Sequence, residues 1–252
     1  MNRIEDYEVL RNRIVEWIRN YAESNGIKSL VVGVSGGIDS AVTSTLAAET
    51  GLMTYCIGMP LHQKKDQESL SDAHLNWLGD TYWDTKTEKF DLTDTFQVFE
   101  KTMRSYGKDK LALANSRSRL RMVTLYQVAQ TVGGIVVGTG NKVEDYGIGF
   151  YTKYGDGGVD IAPIADLYKS EVWELGRHLG INEAIINAAP TDGLWEDGRT
   201  DEDQIGVSYS QLEEAMEKGT GPGLETLEHF SKQNRHKMEP IPTFLLGDEY
   251  DN

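Results

Sequence analysis

Short apolar runs alternate with longer amphipathic stretches along this chain, and that alternation leaves few folds open. Leu30-Val31-Val32-Gly33-Val34 reads as a buried strand, Met53 to Met59 as a second, and Ile135-Val136-Val137-Gly138-Thr139 as another; one more is expected near Tyr82-Trp83. Around them, apolar residues recur at helical spacing from Ile4 to Tyr21, with Asn25-Gly26 as a stop, and then over Asp39–Thr50, Asp66–Leu78, Thr93–Tyr106 and Lys110–Thr131. Later helices are expected over Tyr168–Leu179, Ser208–Lys218 and Glu225–Lys237. Short apolar strands linked through helices imply right-handed crossovers and a parallel sheet covered on both faces. The expected fold is therefore an α/β, Rossmann-like, doubly wound parallel sheet with helices on both faces. A nucleotide then belongs at the carboxyl ends of the strands. No internal repeat or linker interrupts the pattern, so residues 1–252 read as one domain.

Charge narrows the partners. Asp and Glu number 40 against 25 Lys and Arg, a formal charge of -15, whereas a duplex nucleic-acid binder needs a basic footprint to displace counterions. Small anionic ligands remain open, since a few cations and backbone N–H groups suffice to hold a phosphate. The single Cys56 excludes a disulfide framework and a cysteine-built zinc site. No basic-then-apolar leader opens the chain and no apolar run nears the ~20 residues of a membrane span, so a cytoplasmic protein without membrane partners is expected. His62, His74, His178 and His229 have no metal-ligand spacing. Two stretches lack periodicity: Asp145 to Asp160, rich in Gly and Tyr and too long for a plain connector, and Gly193–Asp203, which reads as a mobile polar loop.

The string Ser35-Gly36-Gly37-Ile38-Asp39-Ser40 follows the first strand and opens a helix. Glycines let backbone approach an anion, and the unpaired N–H groups at a helix start point at it. Ser35 and Ser40 add hydroxyls. Asp39 would repel a bare phosphate, so its presence suggests a bridging Mg²⁺, which prefers carboxylate and phosphate oxygens. The plainer reading, a strand-to-helix turn with ordinary helix-start residues, explains the glycines but not the whole string. There is no Walker Lys and no Gly-x-Gly-x-x-Gly pattern.

That string resembles the pyrophosphate loop of the ATP pyrophosphatases, which cleave ATP between its α and β phosphates and share an adenine nucleotide α-hydrolase-like fold. Further stretches resemble one member group. Asn115-Ser116-Arg117-Ser118-Arg119-Leu120-Arg121-Met122 is similar to the NAD synthetase helix pattern Gly-Asn-Ile-Lys-Ala-Arg-x-Arg-Met, with Ala114, Ser116, Arg117 and Ser118 departing from it. Gly138-Thr139-Gly140-Asn141-Lys142-Val143-Glu144, followed by Thr152-Lys153-Tyr154-Gly155-Asp156-Gly157-Gly158-Val159-Asp160, is very similar to that family's second signature. Pro190-Thr191, Asp201-Glu202, Gly206 to Tyr209 and His236-Lys237 fall in the family's order, so the resemblance runs from the first helix to about Pro240. Glutamine-using members carry an additional amidase domain with a catalytic Cys. None is read here, which leaves the ammonia-dependent branch.

The resemblance implies site roles. ATP phosphates would meet Gly33, Val34, Ser35, Gly36, Gly37, Ile38, Asp39 and Ser40, with Thr139, Lys169 and Thr191 as further ATP contacts. Asp39 and Glu144 match Mg²⁺ ligands. Arg119, Lys153, Asp160, His236 and Lys237 match contacts to deamido-NAD, and Asp156 would hold or deprotonate ammonium. Read alone, Glu144 is as well a solvated acid, Lys169 a surface lysine, Arg119 and Arg121 helix-surface cations, and Asp156 a turn former. The implied reaction joins ATP, deamido-NAD and ammonia into NAD, AMP and pyrophosphate through an acyl adenylate. The family also implies a homodimer, and the stripe Leu113, Leu120, Val123 and Tyr126 suits an interface or a core equally. Two alternatives stay open: another ATP pyrophosphatase with a different acceptor, and a non-catalytic adenine-nucleotide sensor.

Overall fold

The structure is a computed structural model and describes residues 3–62, 65–191, 193–194, 199–244 and 246. Helix α1 (Tyr7–Ser24) begins where the Asp6 carboxylate accepts the N–H groups of Glu8 and Val9 at 2.8 and 3.1 Å, supplying partners that the first turn lacks. Strand β1 (Ser29–Gly33) leads into α2 (Ile38–Ala48), β2 (Met53–Gly58) into α3 (Lys65–Thr81), and β3 (Thr85–Lys89) into α4 (Thr93–Thr102) and α5 (Lys110–Val132). Strand β4 (Gly134–Val137) follows the left-handed Gly133 that ends α5. The sheet is parallel with order β3-β2-β1-β4, and β4 adds a parallel bridge from Val137 to Ile161.

Alternation along the strands sends side chains to opposite faces. Leu30, Val32, Ile135 and Val137 join the core beneath α1, α2 and α6 (Lys169–His178), whereas Val31, Ile57 and Val136 pack with Phe96 of α4 and Ala129 of α5. The doubly wound expectation holds. Leu113, Leu120 and Tyr126 of α5 pack on that second core, while Val123 stays exposed. The chain continues through α7 (Glu183–Ile186), α8 (Asp201–Ile205), α9 (Tyr209–Lys218) and α10 (Leu224–Met238), the last two forming a smaller cluster with the segment after β4.

Three expectations need correction. The third strand is Thr85–Lys89, not Tyr82-Trp83: Tyr82 continues from α3, its N–H bonded to Leu78 O, and Trp83 is 91% exposed. The Asp145–Asp160 stretch is not wholly irregular, because Val143–Ile148 forms one π-helical segment, a widened turn frequent at functional sites. The Gly193–Asp203 loop lies partly outside the described residues, and its far end is already α8, capped by the Thr200 hydroxyl.

The strand order reverses at β1: β2 and β3 lie on one side and β4 on the other. The segments leaving the carboxyl ends of β1 and β4 therefore diverge and leave a crevice, the switch point where ligands bind in such sheets. The loop after β1 fits there because Gly36 adopts φ +91° and a Cβ on it would sit 2.7 Å from Gln67 O of α3. Gly36→Ala is expected to cost at least ~2 kcal/mol of stability and to weaken ATP binding; denaturant melts and nucleotide titration of the purified variant check both.

Candidate active site

The loop after β1 is wired to itself. The Ser35 N–H donates to Ser40 Oγ at 3.1 Å, Ser40 Oγ donates to Gly37 O at 2.9 Å, and the Gly37 N–H donates to Ser35 Oγ at 3.2 Å. Val34 and Ile38 point into the core, so they offer the crevice only backbone, while Ser35 and Gly37 are open to it. The start of α2, with the N–H groups of its first turn, closes this cradle.

Opposite the cradle stands a buried ion cluster. Lys169, the first residue of α6 and only 2% exposed, reaches Asp39 Oδ2 at 2.5 Å and Glu144 Oε1 at 3.1 Å. Burial alone would drive the ammonium to lose its proton, but Asp39 and Glu144 outweigh that and raise its pKa. Asp39 is itself raised by burial and by Glu144, against the pull of Lys169. Asn141 donates to Asp39 Oδ1 at 3.3 Å. Tyr209 donates to Glu144 Oε1 at 2.6 Å and to Asp201 Oδ2 at 3.2 Å, and its ring lies 4.8 Å from Lys169 Nζ.

Two adjoining hollows fill the crevice. The polar one, about 150 Å³, is bounded by the cradle and by Asp39, Glu144, Asp145, Asp156 and Asp201, with Lys169 as the one cation among its described lining residues. The other, about 230 Å³, lies between Met59, Met122, Leu125 and Val159 over the backbone of Gly33 and Gly138. Ser35, Thr139, Asp156 and Thr191 border both.

This charge balance bears on the metal. A polyphosphate bound beside five carboxyl groups and one lysine would need divalent charge to neutralise it. Among the described residues no cluster of three or more acidic, His or Cys side chains is arranged to hold an ion by itself. Asp39 and Glu144 instead supply two carboxylates on facing segments, which fits Mg²⁺, an ion that typically takes one or two carboxylates and completes its shell with phosphate oxygens and water.

The remaining expected residues fall into three places. Asp156 borders both hollows; its Oδ1 accepts the Ser118 hydroxyl at 2.7 Å and the Thr152 N–H at 2.9 Å. Arg119, Lys153, His236 and Lys237 come together just behind the polar hollow's Tyr151, where α10 meets the Tyr151–Lys153 segment. Arg119 Nε donates to Lys153 O at 3.2 Å, Lys153 Nζ to His236 O at 2.9 Å, and Lys237 Nζ to Tyr151 O at 2.8 Å. Asp160 faces elsewhere: its carboxylate accepts the Val136 N–H of β4 at 2.8 Å and the Tyr126 hydroxyl at 3.1 Å.

Sequence reasoning gave no role to Asp145 or to Tyr209. Tyr209 reaches Glu144 across 65 positions, a pairing without local signal. Asp145 simply adjoins Glu144, but burial first, and then the charges of Glu144, Asp156 and Asp39, push its pKa up to about 7. Because the folded pKa lies above the unfolded one, the folded state keeps the extra proton between about pH 4 and 7. Stability then falls as pH rises through that window and stays low above it. Asp145→Asn is therefore expected to stabilise the protein by ~2 kcal/mol at pH 8 and by little at pH 4, read from denaturant melts without nucleotide or divalent cation.

Comparison with known proteins identifies the family to which the chain belongs. The NAD synthase family profile covers residues 10–244. The NH3-dependent NAD synthetase of Methanosarcina mazei is 40% identical over 94% of this chain and 98% of its own length. Among solved structures, an NMN synthetase from Francisella tularensis superposes with a TM-score of 0.89 at 30% identity, covering 95% of this chain and 99% of that one. An NH3-dependent NAD synthetase from Campylobacter jejuni shares the fold at TM-score 0.76 and 24% identity, over 96% of this chain and 100% of its own. With a profile match spanning nearly all of its length and relatives this similar from end to end, the chain belongs to the NAD synthase family.

Proposed function

We propose that this chain is an ammonia-dependent NAD synthetase that turns ATP, deamido-NAD and ammonia into NAD, AMP and pyrophosphate. The observation that carries the reading is the glycine cradle facing the Asp39–Lys169–Glu144 cluster at the switch point, with a larger hollow, walled in part by Met59, Met122, Leu125 and Val159, beside it. The hollow between Met59, Met122 and Leu125 suits an adenine ring, and the cradle suits the phosphates that follow it. A carboxylate resists ammonia because its leaving group is poor. The nicotinate carboxylate therefore attacks the ATP α-phosphorus, pyrophosphate departs, and ammonia attacks the resulting acyl adenylate and displaces AMP.

Each residue has a part. Backbone from Gly33 to Ser40 holds the phosphates, Thr139 and Thr191 flank them, and Lys169 keeps Asp39 and Glu144 in place while its charge offsets the departing anion. Mg²⁺, held by Asp39 and Glu144, would supply the remaining charge neutralisation on the phosphates. Asp156, with Oδ1 already bonded, turns Oδ2 to the ammonium and takes its proton. The cluster of Arg119, Lys153, His236 and Lys237 suits the pyrophosphate of the dinucleotide. A contact from Asp160 to that substrate would have to displace Tyr126 or loosen β4.

Ammonia as the direct nitrogen donor is supported by Cys56, which is fully buried with its thiol pushed up to about 12, so it is no amidase nucleophile. The reading places a homodimer in the cytoplasm. Supporting the dimer is apolar surface on α4, α5 and the turn between them, where Val98, Phe99, Met103, Tyr106 and Leu111 are exposed. Supporting the compartment are a lone reduced cysteine and, among the described residues, no helix long and apolar enough to cross a membrane.

One observation favours a second acceptor. The F. tularensis structure, with the higher TM-score of the two given above, is described as an NMN synthetase. The same amidation would then act on the mononucleotide carboxylate, without the AMP half of the dinucleotide.

The test is one reaction with ATP, Mg²⁺ and ammonium, given deamido-NAD or its mononucleotide counterpart, following amide, AMP and pyrophosphate together. Equal amounts of all three with deamido-NAD support the first reading, and preference for the mononucleotide the second. Without ATP cleavage under any acceptor, the protein is a nucleotide sensor. Asp39→Ala is expected to stay folded, by circular dichroism, yet to release no pyrophosphate; wild-type turnover in that variant would remove Asp39 from the metal site.

A further inference from the structure

Ser118 is one of the positions where α5 departs from the helix signature described above, carrying a hydroxyl where that signature has Ala. It is 5% exposed, and the hydroxyl meets Asp156 twice. Ser118 Oγ donates to Asp156 Oδ1 at 2.7 Å and accepts the Asp156 N–H at 2.9 Å. One small group thus grips both the backbone and the carboxylate of a single residue 38 positions away. The Thr152 N–H donates to the same Oδ1 at 2.9 Å, so that oxygen has two donors from within the protein, and Asp156 borders both hollows.

Neighbouring geometry depends on this grip. A Cβ at Gly155 would lie 2.3 Å from Ser118 Oγ, so the loop approaches α5 this closely only with glycine there. One turn earlier, Asn115 Oδ1 accepts the Thr152 hydroxyl at 2.8 Å, a second pin between the same helix and loop. With alanine at 118 the Asp156 N–H would lose its partner and Oδ1 would keep only the Thr152 N–H, so the carboxylate would be held by one hydrogen bond instead of two.

We infer that Ser118 is a positioning residue for the amide-forming step: it fixes the Asp156 rotamer so that Oδ2 meets the incoming ammonium. The inference rests on the role proposed above for Asp156. It assigns Ser118 chiefly to the second half-reaction: Ser118 borders the larger hollow, but its hydroxyl bonds Asp156 and neither the phosphate cradle nor the Lys169 cluster, and alanine keeps the Cβ that faces that hollow.

Ser118→Ala tests this on the full chain. The readouts are KM for ammonium, KM for ATP, the pyrophosphate burst with deamido-NAD in the absence of ammonium, and the thermal midpoint. The expected result is an ammonium KM raised roughly tenfold, with the ATP KM and the burst at wild-type values. An unchanged ammonium KM would overturn the inference, as would a loss shared by ATP KM, burst and melting temperature, which would make Ser118 a packing residue. Asp156→Asn measured in parallel separates two failures. A wild-type ammonium KM in that variant removes the role of Asp156, and that of Ser118 with it. A raised KM there, with none in Ser118→Ala, removes Ser118 only.

Discussion

The ammonium of Lys169 joins three segments that are distant in the chain: the start of α2, the π-helical segment after β4 and the start of α6. Each of its contacts is worth roughly 5 kcal/mol at an effective dielectric of about 20, but burying three charges costs several kcal/mol per ion. Such a cluster adds little net stability and much geometry. It keeps two carboxyl groups within reach of one ammonium, which is the charge arrangement that the proposed Mg²⁺ would complete. Tyr209, buried and held in its protonated form by burial and by the nearby Glu144 and Asp201, donates to Glu144 and extends the same network to α9.

The sheet supplies the frame for that network. Parallel strands deliver their carboxyl ends to one edge, and the reversal at β1 sends the segments that follow β1 and β4 to opposite sides of a crevice. The features are divided along the crevice: a hollow with Met59, Met122 and Leu125 in its wall, a backbone cradle at the start of α2, an ion cluster beside it, and Asp156 where the two hollows meet. The cradle offers backbone N–H groups rather than side-chain cations, so the acidic composition of the chain is no obstacle to the phosphate binding proposed for it.

What could be read in the sequence followed physical rules with short range. The runs at Leu30–Val34 and Ile135–Val137 are buried on both faces, so composition alone marks them, and Gly36-Gly37 between strand and helix announces a backbone site. Thr85–Lys89 escaped because it is polar and pairs on one side only, with β2; nothing in Thr-Lys-Thr-Glu-Lys separates it from a loop. The π-helical segment was equally silent, since a widened turn has no residue signature. Glu144 and Lys169 were legible as site residues only through resemblance; their pairing comes from the docking of α6, across 25 positions. The grip of Ser118 on Asp156 is of the same kind: in the string it is merely a serine in a helix.

Asp160 has a consequence outside the active site. Strand β4 is the last in the sheet, and an edge strand presents a row of unpaired backbone groups. Here the following chain folds back along it: the Asp160 N–H donates to Val136 O, its carboxylate takes the Val136 N–H, and Val137 bridges to Ile161. The side chain thus imitates a neighbouring strand over one residue pair. An apolar Ile-Val-Val edge, the kind that templates strand addition from a second molecule, is covered here over one residue pair by a carboxylate and its own N–H.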